Sequence, residues 1–229
     1  MRNVAVRIEY DGTDFRGWQL QPDVRTVQGV MEEALQQVTQ SFSRVQGSSR
    51  TDAGTHAVGQ VAHFQTESQI ACPDLVSALN FYLPRDVAVL DAADVDDDFH
   101  ACFSATSKLY RYRLLPCPVR RPVRRRYALR TWYSLDVEAL RRCAEMLEGQ
   151  TDFASFACET DQYETTVRTM SRSEWVRQED ELHYMVEADG FLYRMVRALV
   201  GTMLDVARGK HDVETFARML KARDRQEGG

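Results

Sequence analysis

The chain has 229 residues, 44% of them apolar and 28% charged, with a formal net charge of −5. This is the make-up of an ordinary globular protein, and no apolar run is long enough for a membrane-spanning helix. Five cysteines, odd in number, widely spread and without a C-x-x-C pair, argue against a disulfide framework or a zinc site and for a reducing cytoplasm.

Residues 3–10 alternate as a strand and end at Asp11-Gly12. Residues 27–38 put Val27, Val30, Met31, Ala34, Leu35 and Val38 on one helical stripe, with Thr26 as N-cap. Residues 58–64 read as a strand. Pro73 opens a second helix through Leu83, which Pro84 ends, and residues 87–91 form a short strand. Residues 108–115 alternate again. Residues 135–147 make an amphipathic helix stopped by Gly149. Residues 167–177 and 181–188 are strands joined at 178–180. Residues 190–208 make a long apolar helix closed by Gly209, and a last helix spans 212–223. Strand and helix alternate in the same order before and after residue 105. Two α+β halves, 1–105 and 106–229, are therefore expected around a mixed or antiparallel sheet.

Charge is segregated along the chain. Residues 120–130 hold six arginines (Arg120, Arg121, Arg124, Arg125, Arg126 and Arg130) and no acid, whereas residues 91–98 hold five aspartates. Such a surface can bind a polyanion on one face although the total charge is acidic. The plainer reading of the arginine run is a solvated loop.

The stretch Arg50-Thr51-Asp52-Ala53-Gly54-Thr55-His56 sets one carboxylate on a loop of small residues that feeds a strand. An acid so placed can approach a bulky planar substrate. Alternatively it caps a turn through its own backbone amides. No glycine-rich phosphate fingerprint and no metal-ligand spacing appears in the sequence.

In its context this loop, Gly47 to Val61, resembles the signature of the TruA family of tRNA pseudouridine synthases. Three further blocks are similar to that family and occur in its order. They are Tyr10 to Gln19 with Thr26-Val27-Gln28-Gly29; Phe99-His100-Ala101 with Phe103-Ser104-Ala105 and Tyr110-Arg111-Tyr112; and Phe191-Leu192 with Met195-Val196-Arg197 and Val200-Gly201. The resemblance implies two ferredoxin- or RRM-like halves forming one continuous, mainly antiparallel sheet with flanking helices. It implies isomerisation of uridine to pseudouridine at positions 38, 39 and 40 of the tRNA anticodon stem-loop. The N1–C1′ bond breaks, the uracil turns, and it rejoins through C5, with no cofactor and no metal. A cytoplasmic homodimer that binds tRNA, with no membrane partner, is also implied.

Roles follow by position. Asp52 becomes the nucleophile, attacking either the sugar C1′ or the base C6. Such a carboxylate must be ionised yet poorly solvated, and a nearby cation offsets that cost. The resemblance assigns this part to Arg197, with a paired, partly buried arginine expected. Tyr110 stacks on the target base or also takes part in removing the C5 proton, with Tyr112 sharing its face; a packed core tyrosine is the plainer role. Arg50 assists base flipping or meets phosphate, an ion pair within the loop being its plainer role. Arg120, Arg121, Arg124, Arg125 and Arg126 hold the RNA backbone. His56 and His63 are expected to be structural. Two other readings remain open: a tRNA-binding module or chaperone without catalysis, and a carboxylate-dependent hydrolase of a small glycoside, which would usually need a second acid.

The chain departs from the family pattern at three places. Cys102 stands where an arginine is usual, so a contact is lost or supplied elsewhere, by Lys108 or Arg111. Ser48 and Ser49 replace a small Ala-Gly pair. After Asp224-Arg225 the family continues into a closing strand whereas this sequence stops at Gly229; either the sequence is cut short there or the strand is absent, and in the second case an unpaired sheet edge and reduced turnover are expected.

Overall fold

A computed structural model of the chain describes residues 1–158 and 163–223. The fold divides into two compact units, Met1–Ala105 and Thr106–Gly229.

In the first unit, β1 (Arg2–Tyr10), β2 (Gln46–Gly47), β3 (Ala57–Thr66) and β4 (Val87–Val95) form an antiparallel sheet in the order β2-β3-β1-β4. The alternation in β1 is carried through: Val4, Val6, Ile8 and Tyr10 are buried, while Arg7 and Glu9 face solvent. Helices α1 (Val27–Thr39) and α2 (Cys72–Tyr82) cover that apolar face with Val27, Met31, Leu35, Leu75 and Leu79. The Thr26 hydroxyl caps α1 by accepting from Gly29 N–H at 3.2 Å. Pro73 sits in the first turn of α2, and Leu83, ahead of Pro84, has left the helical region.

β4 is longer than the 87–91 expected, because its aspartates are paired. Asp91 lies opposite Arg7, and Arg2 Nε meets the Asp94 carboxylate at 2.9 Å. Opposite charges across the ladder let the strand run on through residues that read as loop.

In the second unit, β5 (Lys108–Pro116), β6 (Leu129–Thr131), β7 (Gly149–Asp152), β8 (Val167–Gln178) and β9 (Glu181–Ala188) lie in the order β6-β5-β9-β8-β7. All pairings are antiparallel except β5 with β6. Helices α3 (Val137–Glu145), α4 (Met195–Ala207) and α5 (Val213–Ala222) share a core with the sheet, built on Leu140, Cys143, Leu199, Met203, Phe216, Trp175 and Tyr184. Burial pushes the Cys143 thiol up to about 11, so it stays protonated and acts as a small apolar group.

The α+β class is as expected. Among the described residues the strands hydrogen-bond as two sheets, one in each unit, and there are five helices. Within the second sheet, the edge of β5 away from β9 is taken at Leu114–Pro116 by β6, a strand too short to read from periodicity. α3 begins later than expected because the Asp136 carboxylate caps it, accepting from Ala139 N–H at 3.0 Å. α4 also begins later, at Met195. Residues before it are held out of the helix by Cys158 N–H on Tyr193 O and by Tyr193 N–H on the Tyr163 hydroxyl. The closing strand implied beyond Arg225 concerns residues outside those described. Among the described residues no helix is long and apolar enough to cross a membrane.

Candidate active site

The Asp52 loop is held by residues far from it in sequence. Asp52 is half-buried, and its carbonyl accepts from Thr55 N–H at 3.1 Å to close a tight turn over Ala53 and Gly54. The Thr51 hydroxyl bonds the Tyr10 phenol at 2.8 Å, while Thr51 O accepts from Trp18 N–H at 3.0 Å. Gly54 N–H donates to Phe15 O at 3.2 Å. Past the turn, His56 Nδ1 accepts from Gly12 N–H at 3.1 Å and lies 3.0 Å from Asp11 Oδ1. On the near side, the buried Gln60 side chain donates to Ser49 O at 2.8 Å and accepts from the Ser48 hydroxyl at 2.7 Å. Ser48, a departure from the family pattern, thus secures the chain leading to Arg50.

Two glycines make this packing possible. A Cβ on Gly12 would fall 1.9 Å from Thr55 O, and one on Gly17 would fall 2.7 Å from Thr51 O, with φ at +97°. The block from Tyr10 to Trp18 is therefore the frame of the Asp52 loop. Sequence reasoning noticed this block and gave it no role; the signal was its pairing with the loop in the family pattern.

Arg50 is exposed. His56 belongs to the frame. His63 is buried, accepts from Ala101 N–H at 3.2 Å and packs edge-on to His100, so it fixes the Phe99-His100-Ala101 block. Burial, with the neighbouring His100, holds the His63 pKa below its ordinary value and keeps the ring neutral. Cys102 N–H donates to His100 Nδ1 at 3.2 Å, a bond made by its backbone and not by its side chain.

In the second unit, Tyr110 and Tyr112 share a face of β5 and are both partly buried. The Tyr110 ring meets Phe191 edge to face, with centroids 4.9 Å apart. Phe191 thus sets the tilt of Tyr110, which sequence reasoning did not anticipate. Burial pushes the Tyr112 phenol up, while the charge of Arg197 pulls it the other way. Arg197 is exposed rather than partly buried. Its apolar sequence neighbours Met195, Leu199 and Val200 turn to the core and leave residue 197 on the outer side of α4. A cation in the first turn of a helix opposes the helix dipole, so helix stability does not account for its presence.

The arginine-rich segment forms a strap between β5 and β6. Arg120, Arg121, Arg125 and Arg126 are exposed. Arg130 is turned inward, donating to Cys117 O at 3.1 Å and Pro118 O at 2.6 Å. Arg124 is engaged by Asp180 and Glu181, which limits its capacity for phosphate.

Glu181 is the buried hub beneath the strap. Arg113 grips it in two-pronged fashion at 2.7 and 2.9 Å, and His183 Nε2 lies 2.9 Å away. These partners, Arg113 first, hold the Glu181 carboxyl down from 4.5 to about 2. The folded state therefore binds this proton more weakly than the unfolded chain. The stabilisation is full above about 4.5 and is lost as pH falls toward about 2. Glu181→Gln is expected to cost about 3 kcal/mol at pH 7, the scale of a broken buried pair. The gap to wild type should shrink between pH 4.5 and 2 in denaturation followed by circular dichroism. A gap independent of pH would show that Glu181 is not held ionised.

Among the described residues no group of three metal-ligating side chains occurs. A family model described as tRNA pseudouridine synthase matches residues 6–104 and 143–229. The matched segments hold Asp52 and Arg197; Tyr110 and the strap fall between them. The tRNA pseudouridine synthase A of Halalkalibacterium halodurans is 44% identical, covering 100% of this chain and 88% of its own. That of Geobacter sp. (strain M21) is 43% identical, covering 99% and 92%. The tRNA pseudouridine synthase A 1 of Desulfotalea psychrophila is 40% identical, covering 100% and 94%. The chain belongs to the tRNA pseudouridine synthase family.

Proposed function

We propose that this chain isomerises uridine to pseudouridine at positions 38, 39 and 40 of the tRNA anticodon stem-loop, through a covalent intermediate on Asp52. The observation that carries the reading is the rigid mount of Asp52. The residue before it is bonded from two sides, by Tyr10 and Trp18, and its turn is closed by Thr55. A turn-capping aspartate needs no such frame, whereas a nucleophile that must meet one atom of an extruded base does.

In this reading the Asp52 carboxylate attacks C1′ or C6 and the N1–C1′ bond breaks. The uracil turns and its C5 bonds to C1′. The C5 proton leaves and N1 gains one, so the product is an isomer and no electrons are exchanged. Arg197 supplies the cation that favours an ionised nucleophile, and Tyr110 the aromatic platform for the base. Arg50 assists flipping, and the exposed strap arginines meet phosphates. The first half carries the nucleophile, and the second carries the platform, the strap and Arg197. The protein works in the cytoplasm as a C2 homodimer; a monomer mass in sedimentation equilibrium would contradict the dimer.

Loss of the C5 hydrogen supplies the test. With tRNA tritiated at uridine C5, the protein releases tritium to water if it isomerises uridine; binding without release supports the competing non-catalytic reading. In the same assay Tyr110→Ala is expected to slow release roughly 10- to 100-fold, the scale of one lost base-stacking contact. Tyr110→Phe keeps the ring. If it restores the rate, stacking is the role of Tyr110; if it does not, the phenol takes part in moving the C5 proton.

A further inference from the structure

Two acids lie directly against the arginine strap, which is unexpected on a surface meant for a polyanion. Asp180 occupies the turn between β8 and β9, and its carboxylate binds Arg124 and lies 3.9 Å from Arg121. Glu181, the next residue, meets Arg124 at 3.3 Å through Oε1, the oxygen that also takes one prong of Arg113. The hydrogen bond from Arg124 holds the Asp180 carboxyl below its ordinary range.

The strap needs such a hold. Its ends are fixed: β6 pairs with β5 at Leu114–Pro116, and Cys117 N–H donates to Thr131 O at 3.0 Å. Its middle buries little apolar side chain: Val119 is 70% and Val123 89% exposed. A segment with few buried apolar side chains opens locally at little cost. Its arginines also repel one another. A short 3-10 turn at Pro122–Arg124 brings Arg121 and Arg124 to the same carboxylate, so Asp180 both neutralises that repulsion and pins the turn. Glu181 carries the anchor into the sheet, where Arg113 and His183 grip it.

We infer that Asp180 and Glu181 are positioning residues for RNA binding: by clamping Arg121 and Arg124 they hold Arg120, Arg125 and Arg126 in the array that receives phosphates. This rests on the reading that the strap meets RNA. It has an unusual sign. Removing a negative charge beside a phosphate-binding surface should tighten binding by simple electrostatics. Here removal of Asp180 weakens it, because a looser strap must be ordered again on binding.

The test is binding of an unmodified tRNA transcript, followed by fluorescence anisotropy at low and moderate salt, with three single variants and wild type. Asp180→Ala is expected to weaken binding about fivefold, the scale of one surface charge contact. Asp180→Glu should recover most of the loss, and Arg125→Ala should also weaken binding. Asp180 lies in an exposed turn, and an unchanged circular dichroism spectrum checks that its variants fold. Should Asp180→Ala bind as tightly as wild type or tighter while Arg125→Ala weakens binding, the clamp is wrong and the strap remains an RNA surface. If Arg125→Ala changes nothing, the strap reading fails and the clamp with it. A loss of thermal stability with unchanged affinity at 25 °C would assign Asp180 a structural role alone and likewise overturn the proposal.

Discussion

Replacing Asp52 with Asn is expected to abolish pseudouridine formation, by at least about a thousandfold, while tRNA affinity stays within about threefold of wild type. The substitution keeps shape and hydrogen-bonding capacity but removes the attacking oxygen anion. The frame around the loop should survive it, because backbone hydrogen bonds close the turn and tie it to its neighbours, among them Asp52 O with Thr55 N–H and Thr51 O with Trp18 N–H. Parallel measurement of modification and binding separates the synthase reading from that of a binding module without catalysis. An Asn variant that still modifies tRNA would remove Asp52 from the nucleophile's role. One that neither modifies nor binds would make the residue part of the binding surface.

Gly12→Ala is expected to be nearly as damaging, although residue 12 performs no chemistry. The added Cβ would lie 1.9 Å from Thr55 O and 2.5 Å from Thr55 C. Both are backbone atoms just beyond the Asp52 turn, so no side chain can swing away to relieve the clash. Either the loop shifts or the segment from Asp11 to Asp14 does, and Gly12 N–H then loses His56 Nδ1. Overpacking at such a point costs about 2–4 kcal/mol. A displacement of the nucleophile of about 1 Å costs about a hundredfold in kcat/KM. Thermal unfolding and steady-state kinetics on one preparation check both figures. Wild-type kinetics in Gly12→Ala would show that the frame does not position Asp52.

What was legible in the sequence was what repeats along it. The alternation at Val4, Val6, Ile8 and Tyr10 and the stripe from Val27 to Leu35 with Thr26 ahead of it became β1 and α1 with small errors at their ends. Elements that repeat nothing were missed: β2 has two residues and β6 three, too few for any period. β4 was cut short because its continuation past Asp91 to Asp94 depends on Arg7 and Arg2, at the far end of the first unit's sequence. The site divides in the same way. Asp52 stood out through its local motif, but the bond from Tyr10 to Thr51 spans 41 positions and has no local trace. Composition picked out the arginine run as a block. It could not separate Arg124 and Arg130, committed to internal partners, from the exposed Arg120 and Arg125, since the acids that decide this lie at Asp180 and Glu181.

The most direct test of the central claim is a map of the product. An unmodified tRNA transcript carrying uridine at positions 38, 39 and 40 is incubated with the protein, treated with carbodiimide and read by primer extension. New stops at those three positions, absent when the Asp52→Asn variant replaces wild type, are the predicted result. No stops, or stops elsewhere in the tRNA, would contradict the account.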